Sequence, residues 1–130
     1  MSILEREKEI KEFLKNIVKE HNLDGILLVD MEGLPLVSYV DESIDEDTVS
    51  ASSAAIVSAT MIAASDTQKR GVNGIMIDTE DGYLVFTPIN EEYILTVLTP
   101  PGAKLGIIRL ITNKVEEFIE SILGQKEGKK

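Results

Sequence analysis

Apolar residues recur along this chain with two different periods, and the switches between them mark out its elements. Near the amino terminus Ile10, Phe13, Leu14, Ile17 and Val18 follow the i, i+3, i+4, i+7, i+8 spacing of one buried helical stripe. That spacing predicts a helix from Ser2 to Glu20, opened by Ser2 and Glu5 as a capping box and supported by the Glu7–Lys11 pair one turn apart. The run Gly25-Ile26-Leu27-Leu28-Val29 is continuously apolar, as in a strand covered on both faces. A turn, Asp30-Met31-Glu32-Gly33, leads to a second strand, Leu34 to Val40. Pro35 has no N–H to give a ladder, which puts that strand at a sheet edge.

The acidic stretch DESIDEDTV follows. Ser43 or Asp45 can cap a helix there, and Asp45, Glu46 and Asp47 suit the positive end of its dipole. This accounts for the cluster better than a metal loop, which needs a glycine turn and a defined ligand spacing. The second helix is expected to reach Gln68, with Lys69 and Arg70 at its negative end and Gly71 as its stop. Three strands are expected next, Val72 to Ile77, Tyr83 to Thr87 and Tyr93 to Thr99. An Asp81-Gly82 hairpin signal separates the first two. A last helix is expected from Ala103 to Leu123, with Ile108, Ile111, Val115, Phe118 and Ile122 as its stripe and Gly124 as its cap. Residues 1–124 then form one domain and 125–130 a frayed polar tail. The order α-β-β-α-β-β-β-α, with two strand meanders around a helix, predicts an α+β fold: one five-stranded antiparallel sheet with helices on both faces.

The second helix departs from the usual pattern. From Thr48 to Ser65 it carries no charge, although 28% of the chain is charged, and most of its side chains are small. Val49, Ile56, Val57, Met61 and Ile62 cover more than half of its circumference, and Ala51, Ala55, Ala59 and Ala63 form an i+4 row. A sheet buries a stripe of little more than about 100°. The rest of the helix must meet a second surface, and the simplest one is the same helix of another chain in a two-fold homodimer. Ala54, Val57, Ser58 and Met61 are the residues expected at its centre. A membrane span is disfavoured, because seven of the 18 uncharged residues are Ser or Thr and a span needs about 20 mainly apolar ones.

Charge and composition remove several function classes. A net charge of −10 opposes binding to nucleic acid and to anionic membranes. The chain has no cysteine, which fits a reducing compartment, and it opens on the charged segment ILEREKEIKEF, unlike the apolar core of a signal peptide. A cytoplasmic location is expected. His21 is the single histidine, placed at a helix end where it suits the dipole, with no Cys or clustered acid for metal or nucleophile chemistry. There is no Gly-Lys-Ser/Thr phosphate loop. These absences favour a non-enzymatic binding module with no metal and no cofactor.

Several pieces in order resemble the Roadblock family, the dynein light chain group that includes bacterial GTPase regulators of the gliding-motility type. They are Leu23 to Asp30 with Gly33-Leu34-Pro35, the small-residue second helix, and Leu95-Thr96-Val97-Leu98 followed by Leu105-Gly106-Ile107-Ile108-Arg109. The resemblance covers about residues 3–123. It implies the second helix on one sheet face and the first and third on the other. It also implies a dimer built by the second helix and the strand after it, which adds Ile75 and Ile77 to the expected interface. A small Ras-like GTPase, or an assembly containing one, is the implied partner. It would be regulated or scaffolded beside the second helix, where Asp66 and Lys69 are the expected contacts. An alternative within the same pattern is a small-ligand sensor, with a pocket between sheet and helix.

Overall fold

The continuously apolar segment becomes an interior strand. In the computed structural model, which describes residues 3–127, Gly25–Asp30 (β1) lies between Pro35–Val40 (β2) and Tyr93–Leu98 (β5). Gly82–Ile89 (β4) and Ile75–Thr79 (β3) complete a sheet of order β2-β1-β5-β4-β3, with every neighbouring pair antiparallel. β2 is an edge strand, as Pro35 requires; β3 is the other edge.

Alternation along the strands creates two apolar surfaces. Ile26, Leu28, Val85, Leu95 and Val97 point to one side, where they meet the helices Glu7–His21 (α1) and Leu105–Glu127 (α3). Ile10, Leu14 and Ile17 of α1 and Ile108, Ile111, Val115, Ile119 and Ile122 of α3 are all at most 2% exposed in this layer. Phe13 and Phe118 stack with ring centroids 3.9 Å apart, joining the two helices. Leu27, Val29, Phe86 and Ile94 point to the other side and meet the helix Glu46–Asp66 (α2).

Several element ends differ from those expected. The first helix begins as a single 3-10 turn, Leu4–Arg6, and closes on Asn22, whose φ of 54° is left-handed. Ser2, the expected cap, lies outside the described residues. α2 ends at Asp66, not at Gln68. Gln68 turns left-handed (φ 61°), donates its N–H to Ser65 O, and lets Lys69 N–H reach Ala64 O at 2.7 Å. This paired C-terminal closure satisfies the last carbonyls well before Gly71. Lys69 and Arg70 therefore lie beyond the helix, and β3 starts at Ile75 instead of Val72. α3 starts at Leu105 and runs through Gly124 to Glu127, because an exposed glycine weakens a helix without having to end it. Residues 128–130 of the expected tail lie outside the described residues.

The β3–β4 and β4–β5 turns carry positive backbone angles for different reasons. In the β3–β4 hairpin the loop is Glu80-Asp81, and Gly82, at φ 125°, pairs with Thr79. The Thr79 hydroxyl accepts from Asp81 N–H and donates to Gly82 O. Glycine is needed at 82 because a β carbon there would sit 1.9 Å from Thr99 O. In the β4–β5 hairpin Asn90 and Glu91 both have positive φ, 54° and 62°, and Glu92 N–H closes the turn on Ile89 O. Asn tolerates that region; Glu does not gain from it.

Gly82→Ala is expected to cost about 3 kcal/mol or more, from overlap added to left-handed strain. Glu91→Gly is expected to stabilise by about 0.5–1 kcal/mol, because relief of strain exceeds the added chain entropy. Urea midpoints of the two variants against the parent chain check both.

Candidate interaction surface

α2 is fixed to its own sheet by short polar side chains. Asp45 caps it, accepting from Thr48 N–H at 3.2 Å, so the structure selects Asp45 over Ser43. Ser43 instead donates both its N–H and its hydroxyl to Asp41, which holds the Asp41 carboxyl below the usual range. The Ser38 hydroxyl of β2 donates to the Glu46 carboxylate in the first turn. At mid-helix the Ser53 hydroxyl lies 2.9 Å from Thr96 Oγ1 of β5 and 2.8 Å from Val49 O; Ser53 and Thr96 are both fully buried. The β1–β2 hairpin presses on the same helix. Asp30 accepts from Glu32 and Leu34 N–H groups and shapes that turn, and a β carbon on Gly33 would come within 3.2 Å of Ala51 Cα.

These contacts set the rotation of α2. Ser50, Ser53 and Val57, at i, i+3 and i+7, are its buried line. Val57 is 1% exposed and packs with Leu27, Val29, Phe86 and Ile94, so it belongs to the protein's own core and offers nothing to a second chain. This corrects its expected place at a dimer centre. Ala54 and Met61 are half-buried on the same inner flank, and Ile75 and Ile77 of β3 join them from the sheet. Of the four helix residues expected at an interface, Ser58 alone is exposed.

The face turned to solvent is a different stripe: Ala51, Ala55, Ser58, Ala59 and Ile62, of which Ile62 is 62% exposed. The sequence signal for this rotation was the pair of serines. Ser50 and Ser53 look like an outer face by polarity, but the Ser53 hydroxyl finds Val49 O and Thr96 and is buried, and Ser50 is buried with its hydroxyl unpartnered among the described residues. Asp66 and Lys69 are both exposed, one at the carboxyl end of this stripe and one in the loop after it. An open cleft of about 620 Å³ follows, floored by Met31, Met61, Val72 and Pro88, with Arg70 and Glu91 also lining it. A second open cleft, about 650 Å³, lies on the opposite face between α3 and β3. At the end of the sheet β3 pairs with β4 along one side only, so among the described residues its other edge of N–H and C=O groups is free. Among the described residues no three His, Cys, Asp or Glu side chains converge as a metal shell would require.

The matching positions run from within α1 to the end of β5. Residues 9–99 match the Roadblock/LC7 domain. The chain belongs to the Roadblock/LC7 family. An uncharacterized protein of Methanocaldococcus jannaschii is 27% identical over 113 residues, which are 87% of this chain and 98% of that one. A second from the same organism is 26% identical over 116 residues, 89% of this chain and 98% of its own length. Among solved structures, Myxococcus xanthus MglB superposes with a TM-score of 0.84 at 20% identity, covering 91% of this chain and 90% of that one. A Roadblock/LC7 domain from Streptomyces avermitilis gives 0.78 at 14% identity, covering 87% and 96%. These likenesses establish the Roadblock fold, with α2 alone on one sheet face.

By length and composition alone α2 could cross a membrane. Its attachments argue otherwise. Withdrawing it would break the Ser53–Thr96 and Ser38–Glu46 hydrogen bonds and bare Leu27, Val29, Phe86 and Ile94 to water.

Ser53→Ala is expected to destabilise this Roadblock domain by about 1–2 kcal/mol, because Thr96 loses its buried partner. The double variant Ser53→Ala/Thr96→Val should recover part of that loss in a thermal melt. Val57→Ala is expected to cost about 2 kcal/mol by leaving a cavity under α2.

Proposed function

We propose that this Roadblock/LC7 protein is a non-enzymatic, cytoplasmic homodimer that regulates or scaffolds a small Ras-like GTPase. One observation carries the reading: the same domain has an uncharged, small-residue stripe on the outside of α2 and an unpaired sheet edge, β3. Two copies brought together by a two-fold axis would bury both features at once. β3 would pair with β3 of the partner into one ten-strand sheet, and Ala51, Ala55, Ser58, Ala59 and Ile62 would meet their equivalents. An unsatisfied edge is a liability that native proteins cover, and small side chains let helix backbones approach closely. Ile75 and Ile77, together with Ala54 and Met61, flank this seam from the inner side.

The partner class comes from the resemblance between this chain and a family whose members bind such GTPases. Asp66 and Lys69, at the end of the α2 stripe, are the proposed contacts, with the adjoining cleft at Met61 and Arg70 beside them. The net charge of −10 per chain would steer a basic patch on the partner. The sensor alternative has less support. Both clefts are open, whereas a small-molecule site buries about 70–90% of its ligand's surface.

Ala59→Glu places a carboxylate on the exposed stripe without touching the core. Light scattering of the parent chain should give twice 14.3 kDa, and the variant should give the single-chain mass with an unchanged fold by circular dichroism. A parent chain that is monomeric at tens of micromolar, within the micromolar affinity range, would refute the dimer. A GTPase from the same cell should bind with a preference for one nucleotide state, since a regulator must distinguish the two. That binding should weaken in Asp66→Lys and Lys69→Glu, and the Roadblock protein alone should hydrolyse no GTP. Equal binding to both states would assign it to scaffolding.

A further inference from the structure

The sheet face that carries α1 and α3 is left partly open. α1 packs over β1 and β2, and α3 over β5. Beyond α3, β4 and the edge strand β3 form the floor of the 650 Å³ cleft. Val85 and Thr87 line its base at 7% and 6% exposure. One wall is β3, which contributes Met76; the other is α3, which contributes Leu105 and Ile108. Met76 is 44% exposed and Leu105 53%, so both walls hold a large apolar side chain in water. Facing apolar groups around a concave floor mark an interaction site more strongly than isolated surface leucines do.

The polar residues of the cleft set the chemistry of what fits. Arg109, Thr112, Asn113 and Glu116 stand at i, i+3, i+4 and i+7 on α3, so the row runs along the wall instead of around the helix. Glu116 forms no ion pair among the described residues. Partial burial raises its proton affinity, and Glu120 and Glu117 raise it further. Asp78, two residues beyond Met76, projects to the same side of β3. Arg109 is the single cation lining the cleft. From Leu105 to Glu116 the wall is about 16 Å long, or three helical turns.

The geometry points to a docking groove for a cationic amphipathic helix of a partner protein. Its apolar side would cover Met76 and Leu105, and its Lys or Arg side chains would meet Glu116 and Asp78. Such a segment would extend the helical layer over the strands that α1 and α3 leave open, on the face opposite the proposed dimer and GTPase contacts. A helix bearing carboxylates would meet Glu116 in the cleft and Asp78 at its β3 end and be rejected there.

The test uses two labelled model helices of about 14 residues, four turns, one built from Leu and Lys and one from Leu and Glu. Fluorescence anisotropy with the full chain should show binding of the Leu/Lys helix alone. Backbone amide shifts should then move at Met76, Thr87, Leu105, Thr112 and Glu116. Leu105→Ser and Glu116→Lys should each raise the dissociation constant about tenfold, the scale of one good contact. Both residues lie on α3 and away from the β3 edge, so neither variant should alter the oligomeric mass. Glu42→Lys makes the same charge change in the β2–α2 loop and should have little effect. The proposal is overturned by no binding, by equal binding of the Leu/Glu helix, or by a loss in Glu42→Lys as large as in Glu116→Lys.

Discussion

A central strand with no polar face governs this molecule. Ile26, Leu27, Leu28 and Val29 of β1 are each at 0% exposure, so apolar side chains leave the sheet in both directions and both faces must be covered. A hairpin alone cannot do this. The chain solves it by sending α1 and α3 to one side and α2, the connection between the two meanders, to the other. Fully burying four such side chains is worth about 6–12 kcal/mol before entropy is counted, comparable with the whole net stability of a domain this size. The sheet order follows from the same demand, since it places β1 and β5 inside and leaves Pro35 and the exposed Met76 on the two edge strands.

The strand and helix order was legible because it rests on local periodicity. The stripe of α1, the unbroken apolar run of β1 and the edge position of Pro35 each depend on residues within a few positions of one another. Element ends were less legible where backbone geometry competes with residue preference. Gln68 takes the left-handed position that Gly71 seemed made for, because the last carbonyls of α2 are reached there first. Gly82 looked like the centre of a hairpin turn. It is needed one place later, for the close approach of Thr99.

The rotation of α2 was the least legible feature, and physically it is the most informative. Polarity assigns Ser50 and Ser53 to solvent and Val57 to any apolar neighbour, so the sequence alone allowed Val57 to be placed on an outer face. Ser53 is held inward by a residue 43 positions away, Thr96, whose hydroxyl adds a partner across the helix–sheet contact to the local one at Val49 O. A helix whose inner line contains two serines needs fewer large side chains to face the sheet. Its remaining apolar residues are then free to lie elsewhere, which is how an Ile at position 62 comes to stand in water.

Small side chains on α2 therefore answer two demands, and the structure separates them. Along its first turns they let the β1–β2 hairpin close in, so that a β carbon on Gly33 would come within 3.2 Å of Ala51 Cα. Had that been their sole purpose, the outer residues after Ala55 could have been Lys or Glu, the usual solvated choices on a helix of this length. They remain Ser, Ala and Ile through Ser65, in a chain with 23 acidic and 13 basic residues to place. Charge resumes at Asp66, where the stripe ends and the loop to the free edge of β3 begins. Solvation explains neither the length of that neutral stripe nor its stopping point; the proposed contact with a second chain accounts for both.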